Sequence, residues 1–134
     1  MATSKITQGP SMNTGRFDHG CARLNDEFII VAGQSVMTKD NLFTEVLKIG
    51  ELEWRYGPNL TEAIGYNELV KSNRKEYIAY NLGGSTVDFE PSSKIHGLNS
   101  DTNEWELIGN MNEPRSHGSA LNVPSHLIPW CDDG

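Results

Sequence analysis

The sequence has little cysteine, no long apolar run and few basic residues among its 134 positions. Its two cysteines, Cys21 and Cys131, lie 110 positions apart and are too few for a disulfide framework or for a zinc site of the cysteine type. No apolar run approaches the roughly 18 residues that a transmembrane helix needs, and the N-terminal residues hold no apolar segment typical of a signal peptide. We therefore expect a reduced, cytoplasmic protein that is not embedded in a membrane.

Positive charge is scarce as well. The 11 Lys and Arg residues stand against 18 Asp and Glu residues, which gives a formal net charge of -7, and basic residues never form a cluster along the chain. Nucleic acids and anionic membranes both attract proteins through a positive patch, so we expect neither of them as a partner. The negative charge itself is typical of a surface that keeps a protein soluble.

Turn-forming residues are abundant, because Gly, Asn, Ser and Pro make up about 31% of the chain. These residues supply the dihedral angles and the local hydrogen bonds of tight turns. Helical periodicity is not sustained anywhere, and the one Glu-rich candidate, residues 62–73, contains Gly65 and has no clean apolar stripe. The composition predicts short elements joined by many turns and argues against a helical bundle.

A repeat runs through the middle of the chain. Trp54 and Trp105 lie 51 positions apart, and each is followed six residues later by an apolar residue, Leu60 or Met111. The same spacing separates two pairs that contain glycine, residues 32–33 and 83–84. Several landmarks at one spacing indicate a repeated structural unit.

The phase of the repeat extends to both ends of this region. Residues 6–12 parallel residues 54–60, with Ile6 at the position of the tryptophan. Four residues after each copy stand Arg16, Ile64 and Arg115. A His-Gly pair follows both arginines, so His19 and His117 occupy similar positions, and we expect a structural role for both.

Each repeat has the pattern of strands. Residues 28–31 and 77–82 are short apolar runs that end at the glycines, as buried strands do. Residues 44–49 and 93–98 form the next predicted strand, and the Asx-rich residues 99–103 predict a tight turn before Trp105.

Four strands per repeat of about 50 residues are typical of a β-propeller blade of the kelch class. The chain resembles the kelch family. The family's pattern is an Arg with a small apolar strand, then a strand that ends in Gly-Gly, then a strand that ends in a turn, and then a Trp. The resemblance implies an all-β, incomplete propeller with about two full antiparallel blades. It divides the chain into a kelch-repeat region, 1–123, with a partial blade at 6–12, blades at 16–60 and 64–111, a partial blade at 115–123, and a C-terminal tail at 124–134.

Kelch propellers often bind partner peptides on the face where the first strand begins and where the loop after the glycine pair lies. The resemblance therefore implies a non-catalytic module for protein binding, with no cofactor and no metal. It places seven candidate binding residues on that face: Arg16, Gln34, Ser35, Ser85, Thr86, Arg115 and Ser116. The alternative is that each arginine bonds within its own blade and that four of the others, Gln34, Ser35, Ser85 and Thr86, are turn residues.

Motifs for catalysis do not occur in the sequence, which has no nucleophile elbow, phosphate loop or His-Glu-x-x-His pattern. Two pairs of carboxylates at a spacing of two, Asp88 with Glu90 and Glu104 with Glu106, are better explained as solvated strand faces. Because some propellers related to kelch proteins are oxidases, the alternative functions are a fragment of such an oxidase and a piece of a longer kelch protein without independent activity.

The length of the chain bears on assembly. At about 50 residues per blade it supplies about 2.7 blades, whereas closed propellers have typically 4–8. We therefore expect the isolated chain to associate with itself, to dock onto other blades of a longer propeller, or to bind a protein partner that the sequence does not identify. The tail carries Trp130, which is a candidate to cover one open face.

Overall fold

The computed structural model describes residues 6–33 and 42–123 of the chain. They form two four-stranded antiparallel sheets, each with its strands in sequence order, and contain no α-helix. The prediction of an all-β chain with two such sheets is confirmed. The strands of the first sheet are β1 (Gly20–Arg23), β2 (Phe28–Ala32), β3 (Glu45–Lys48) and β4 (Arg55–Tyr56), and those of the second are β5 (Glu68–Lys71), β6 (Tyr77–Leu82), β7 (Ser92–Asn99) and β8 (Trp105–Arg115).

Glycine ends the second strand of each sheet for a conformational reason. Gly33 follows β2 with a φ of 82°, and Gly83 follows β6 with a φ of 56°. Residues with a side chain rarely adopt this left-handed region. A Cβ atom on Gly33 would in addition overlap the side-chain amide of Asn67, which immediately precedes β5, so only glycine fits at this contact between the two halves.

The tight turn predicted between β7 and β8 is confirmed. The side-chain oxygen of Asn99 accepts hydrogen bonds from the main-chain N–H groups of Asp101 and Thr102, at 2.9 and 3.2 Å. Asn103 then adopts a φ of 55°, which asparagine tolerates better than most residues. The chain thereby reverses immediately before Trp105.

The core lies between the two sheets. Residues that pair directly across antiparallel strands share a face, and the pairs Ala22–Ile30 and Ile30–Val46 define the face of the first sheet that packs on the second. The second sheet contributes the pair Leu98–Trp105. The buried core residues are Ala22, Ile30, Ala32, Leu60, Ile64, Leu69, Ala79, Leu98 and Trp105.

The two flanking segments differ from the prediction. Residues 6–12 and 115–123 were expected to contain strands of neighbouring blades. Arg115 is instead the last residue of β8, and residues 6–12 and 116–123 contain no strand. A strand requires a paired neighbour, and no described residue pairs with these segments. Residues 6–12 instead run past Trp54, whose indole N–H donates a 3.0 Å hydrogen bond to the carbonyl of Pro10.

Candidate functional site

Three loop residues from successive repeats meet at one end of the sheets. Asp18, Tyr66 and His117 all have a positive φ, of 53°, 51° and 57°. The N–H of Tyr66 donates to the carbonyl of Asp18 at 2.9 Å, and the N–H of His117 donates to the carbonyl of Tyr66 at 3.1 Å. We call this series of bonds the backbone ladder. It joins the start of β1, the start of β5 and the end of β8.

A recess of about 250 Å³ opens beside the backbone ladder. The rings of Tyr66 and His117 stack beside it, with their centroids 4.1 Å apart and their planes at 26°. The recess is lined by Asp18, His19, Tyr66, Asn67, Glu68, His117 and Gly118. It therefore combines an aromatic surface with two carboxylates, which is a chemistry suited to binding a peptide.

Burial shifts the pKa of two groups in the recess. Burial raises the pKa of Glu68, although a hydrogen bond from the main chain of Ala120 acts in the opposite direction. Burial also lowers the pKa of His19, and the Arg16 guanidinium lowers it further, against the effect of Asp18. The lowered pKa favours the neutral form of His19.

The candidate residue Arg16 lies inside the first sheet. Its side chain and that of Glu45 are both 0% exposed, and their closest atoms, Nη2 and Oε1, are 3.1 Å apart. The guanidinium also donates to the carbonyl of Gly33 at 2.8 Å. Glu45 accepts two further bonds from the main-chain N–H groups of Asn13 and Thr14, at 2.7 and 3.0 Å. This geometry matches the alternative in which the arginine bonds within its own sheet.

Arg115 has the opposite environment. It is exposed, and its guanidinium makes no hydrogen bond to any residue that the structure describes. Only its backbone is engaged, since its carbonyl accepts the N–H of Gly84 at 2.8 Å. The next residue, Ser116, is half-buried, and its hydroxyl lies 3.1 Å from Nδ1 of His117, so both residues adjoin the backbone ladder.

The remaining candidates follow the glycine pair of the second sheet. Ser85 is 4% exposed and exchanges main-chain hydrogen bonds with Gly65, at 2.7 and 3.1 Å. Thr86 is half-buried and begins a turn, in which its carbonyl accepts the N–H of Phe89 at 2.9 Å. Gln34 and Ser35 lie outside the described residues.

The structure also corrects the alignment of the histidines. Asp18, Tyr66 and His117 each stand two residues after Arg16, Ile64 or Arg115 and share one backbone conformation. His117 therefore corresponds to Asp18 and not to His19. Sequence reasoning missed Asp18, Tyr66 and Glu68 as recess residues. The repeat gave no signal for Asp18 and Tyr66, because they share a positive φ with His117 and not a residue type.

The missing arginine of the middle repeat has a structural counterpart. Glu45 pairs with Val31, two residues before Gly33, and His96 pairs with Asn81, two residues before Gly83, so Glu45 and His96 occupy corresponding positions. In the second sheet the basic residue, His96, is on the strand and the acidic residue, Glu62, is in a loop. Nε2 of His96 lies 3.3 Å from Oε1 of Glu62. Ile64, which stands at the arginine's place in the middle repeat, is buried in the core.

His96 should make the fold sensitive to acid. Burial lowers the pKa of His96; the carboxylate of Glu62 opposes this effect and the ammonium of Lys94 adds to it. Because the unfolded chain takes up a proton at about pH 6.5 and the folded chain only at a lower pH, stability falls as the pH falls below about 6.5. We expect the loss of unfolding free energy between about pH 7.5 and 5.5 to be smaller in His96→Gln than in the wild type, measured by urea denaturation. An equal loss in both proteins would contradict this assignment.

Other groups that could carry chemistry remain apart. Within residues 6–33 and 42–123, no three His, Cys, Asp or Glu side chains come together in a way that could hold a metal ion. The carboxylate pairs considered above are all solvent-exposed: Asp88, Glu90, Glu104 and Glu106. The described part of the chain also has no helix long and apolar enough to cross a membrane.

No protein-family model matches the sequence, and no curated protein matches it.

Proposed function

We propose that the chain is a segment of a kelch-type β-propeller that binds a partner protein through the loops around the backbone ladder and catalyses no reaction. The fold supports this proposal, because two four-stranded antiparallel sheets pack face to face with their first strands adjacent. A Cβ atom on Gly20 of β1 would lie 2.9 Å from the main-chain nitrogen of Leu69 in β5. Blades around a common axis approach one another in this way at their inner strands.

The backbone ladder supports the same architecture. Three loops from consecutive repeats are joined in series, because the N–H of each ladder residue bonds to the carbonyl of the ladder residue in the preceding repeat. A series of this kind needs each repeat to be related to the next by a similar rotation. It also brings side chains from different repeats to one face, as a binding surface built from loops requires.

The stacked pair of Tyr66 and His117 is the observation that carries the proposed binding function. Tyr66 is half-buried and His117 is exposed, so the rings present an apolar surface beside the polar groups of the recess. Aromatic side chains held rigidly in this way contribute a large share of the affinity at protein interfaces. Ser116 and Thr86 lie on the neighbouring loops and would extend the contact.

The test compares two tyrosine variants of the full chain as bait for quantitative affinity capture. We expect Tyr66→Asn to reduce the recovery of at least one partner by about tenfold or more, because it removes a ring at the centre of the proposed surface. Asparagine tolerates the positive φ of this position, which preserves the loop. The matched control is Tyr56→Asn, which removes an exposed tyrosine of β4.

Both variants are checked for an unchanged melting temperature before capture. Recovery that falls equally in the two variants, or in neither, would contradict a binding site at the backbone ladder. Turnover of a sugar alcohol by a copper-loaded sample would favour the oxidase alternative instead.

A further inference from the structure

Arg115 occupies a position whose counterpart is completed by a β-hairpin. In the first sheet, the guanidinium of Arg16 donates hydrogen bonds to the carbonyl of Gly33, after β2, and to the carboxylate of Glu45, at the start of β3. Arg115 stands in the same place relative to the backbone ladder, two residues before His117. Its guanidinium is exposed, and no described residue offers it a carbonyl or a carboxylate.

The segment after Arg115 lies where a first strand would lie. The side-chain amide of Asn122 donates to the carbonyl of Lys71 in β5, and its oxygen accepts a hydrogen bond from the amide of Asn73, both at 2.9 Å. These contacts hold Asn122 beside β5, and Leu121 and Asn122 line a recess together with Val70 and Tyr80 of the second sheet. No strand pairs with this segment among the described residues, so its backbone is open to a partner strand.

The outer face of the second sheet beside this segment is apolar. A groove of about 520 Å³ runs along it, next to the exposed Arg74. Its apolar lining residues are Tyr77, Tyr80, Leu82, Ile95 and Ile108. Tyr80 and Leu82 stand three and one residues before Gly83, as Ile30 and Ala32 stand before Gly33, and those two side chains are buried under the next sheet.

We propose that Arg115, residues 117–123 and the outer face of the second sheet together bind a β-hairpin of a partner protein. The first strand of the hairpin pairs with residues 117–123 and places alternate apolar side chains over Tyr80 and Leu82. Its last carbonyl and a carboxylate at the start of its second strand bond to Arg115, as Gly33 and Glu45 bond to Arg16. The interface thereby continues the packing that already joins the two sheets.

A partner of another sequence fits this surface better than a second copy of the chain. The corresponding carboxylate of a second copy is Glu45, which is 0% exposed and already holds the guanidinium of Arg16 and two main-chain N–H groups. Two copies would also bring together chains that each carry a net charge of -7. The binding of a hairpin does not depend on the proposed function of the loop face.

The test uses a synthetic peptide of residues 26–49, which contains the β2 and β3 sequences and Glu45. We expect the dye-labelled peptide to bind the full chain saturably, as measured by fluorescence anisotropy. Glu45→Gln in the peptide and Arg115→Gln in the protein should each weaken binding by at least about tenfold. The two changes together should weaken it little further, because they remove the same contact. Arg23→Gln, which removes another exposed arginine, in the first sheet, should leave binding unchanged.

Charge reversal makes the test specific. Arg115→Glu should abolish binding of the wild-type peptide and should regain at least about tenfold in affinity for the peptide with Glu45→Arg. The substitutions in the peptide cannot unfold the protein, so they test the contact even where a protein variant is unstable.

Four outcomes would overturn the proposal. They are the absence of saturable binding, equal binding of the wild-type peptide and of its Glu45→Gln variant, binding that appears only after residues 124–134 are deleted, and concentration-dependent self-association that the peptide does not displace. The third would show that the chain covers this surface itself, and the fourth that a second copy does.

Discussion

Glu45→Gln is expected to lower the free energy of unfolding by about 3–5 kcal/mol, because it leaves the guanidinium of Arg16 buried without a counter-charge. Both side chains are 0% exposed, so water cannot replace the lost carboxylate. Glu45 also accepts the main-chain N–H groups of Asn13 and Thr14, which hold the loop before β1 in place. The measurement is urea denaturation at neutral pH, followed by tryptophan fluorescence.

The matched control is Glu51→Gln. Glu51 forms an ion pair with Arg55 at 2.9 Å, but the arginine is 76% exposed, and pairs at the surface contribute about 0–1 kcal/mol. A loss of similar size in the two variants would show that the Arg16–Glu45 pair is accessible to solvent. It would also leave Arg16 available to a partner, as the resemblance to kelch proteins implies.

The strands could be predicted because their signals are local. Residues 28–31 and 77–82 are apolar runs that end at glycine, and the structure has strands at 28–32 and 77–82. The period of about 51 residues then predicted one sheet per repeat. The flanking segments were harder, since a strand forms only where a second strand pairs with it, and the sequence of residues 116–123 does not contain that information.

The candidate site could be predicted only in part, because the sequence does not show what a side chain meets. Arg16 and Arg115 have the same place in the repeat, yet one is completely buried beside Glu45 and the other is exposed. The two arginines differ because the strands β2 and β3 follow Arg16, whereas no strand follows Arg115 within the described residues. The backbone ladder left no signal in residue type, because Asp18, Tyr66 and His117 have in common only a positive φ.

The second large effect is expected at Trp105. Its side chain is 4% exposed and packs in the core between the sheets, so Trp105→Ala should lower the free energy of unfolding by about 3–5 kcal/mol. Ile6 stands at the corresponding position of the first copy but is 96% exposed, and Ile6→Ala should change the free energy of unfolding by less than about 0.5 kcal/mol. Chemical denaturation followed by circular dichroism measures both without relying on the fluorescence of the residue that is removed.

Substitution by phenylalanine separates the ring of Trp105 from its N–H group. The indole N–H of Trp105 is buried and has no acceptor among the described residues. Trp54 differs, since its N–H bonds to the carbonyl of Pro10. Trp105→Phe should therefore recover most of the stability that Trp105→Ala loses, because phenylalanine keeps an aromatic ring in the core and the N–H that it removes has no partner. Equal, small losses for Trp105→Ala and Ile6→Ala would contradict the burial of Trp105 and the phase of the repeat.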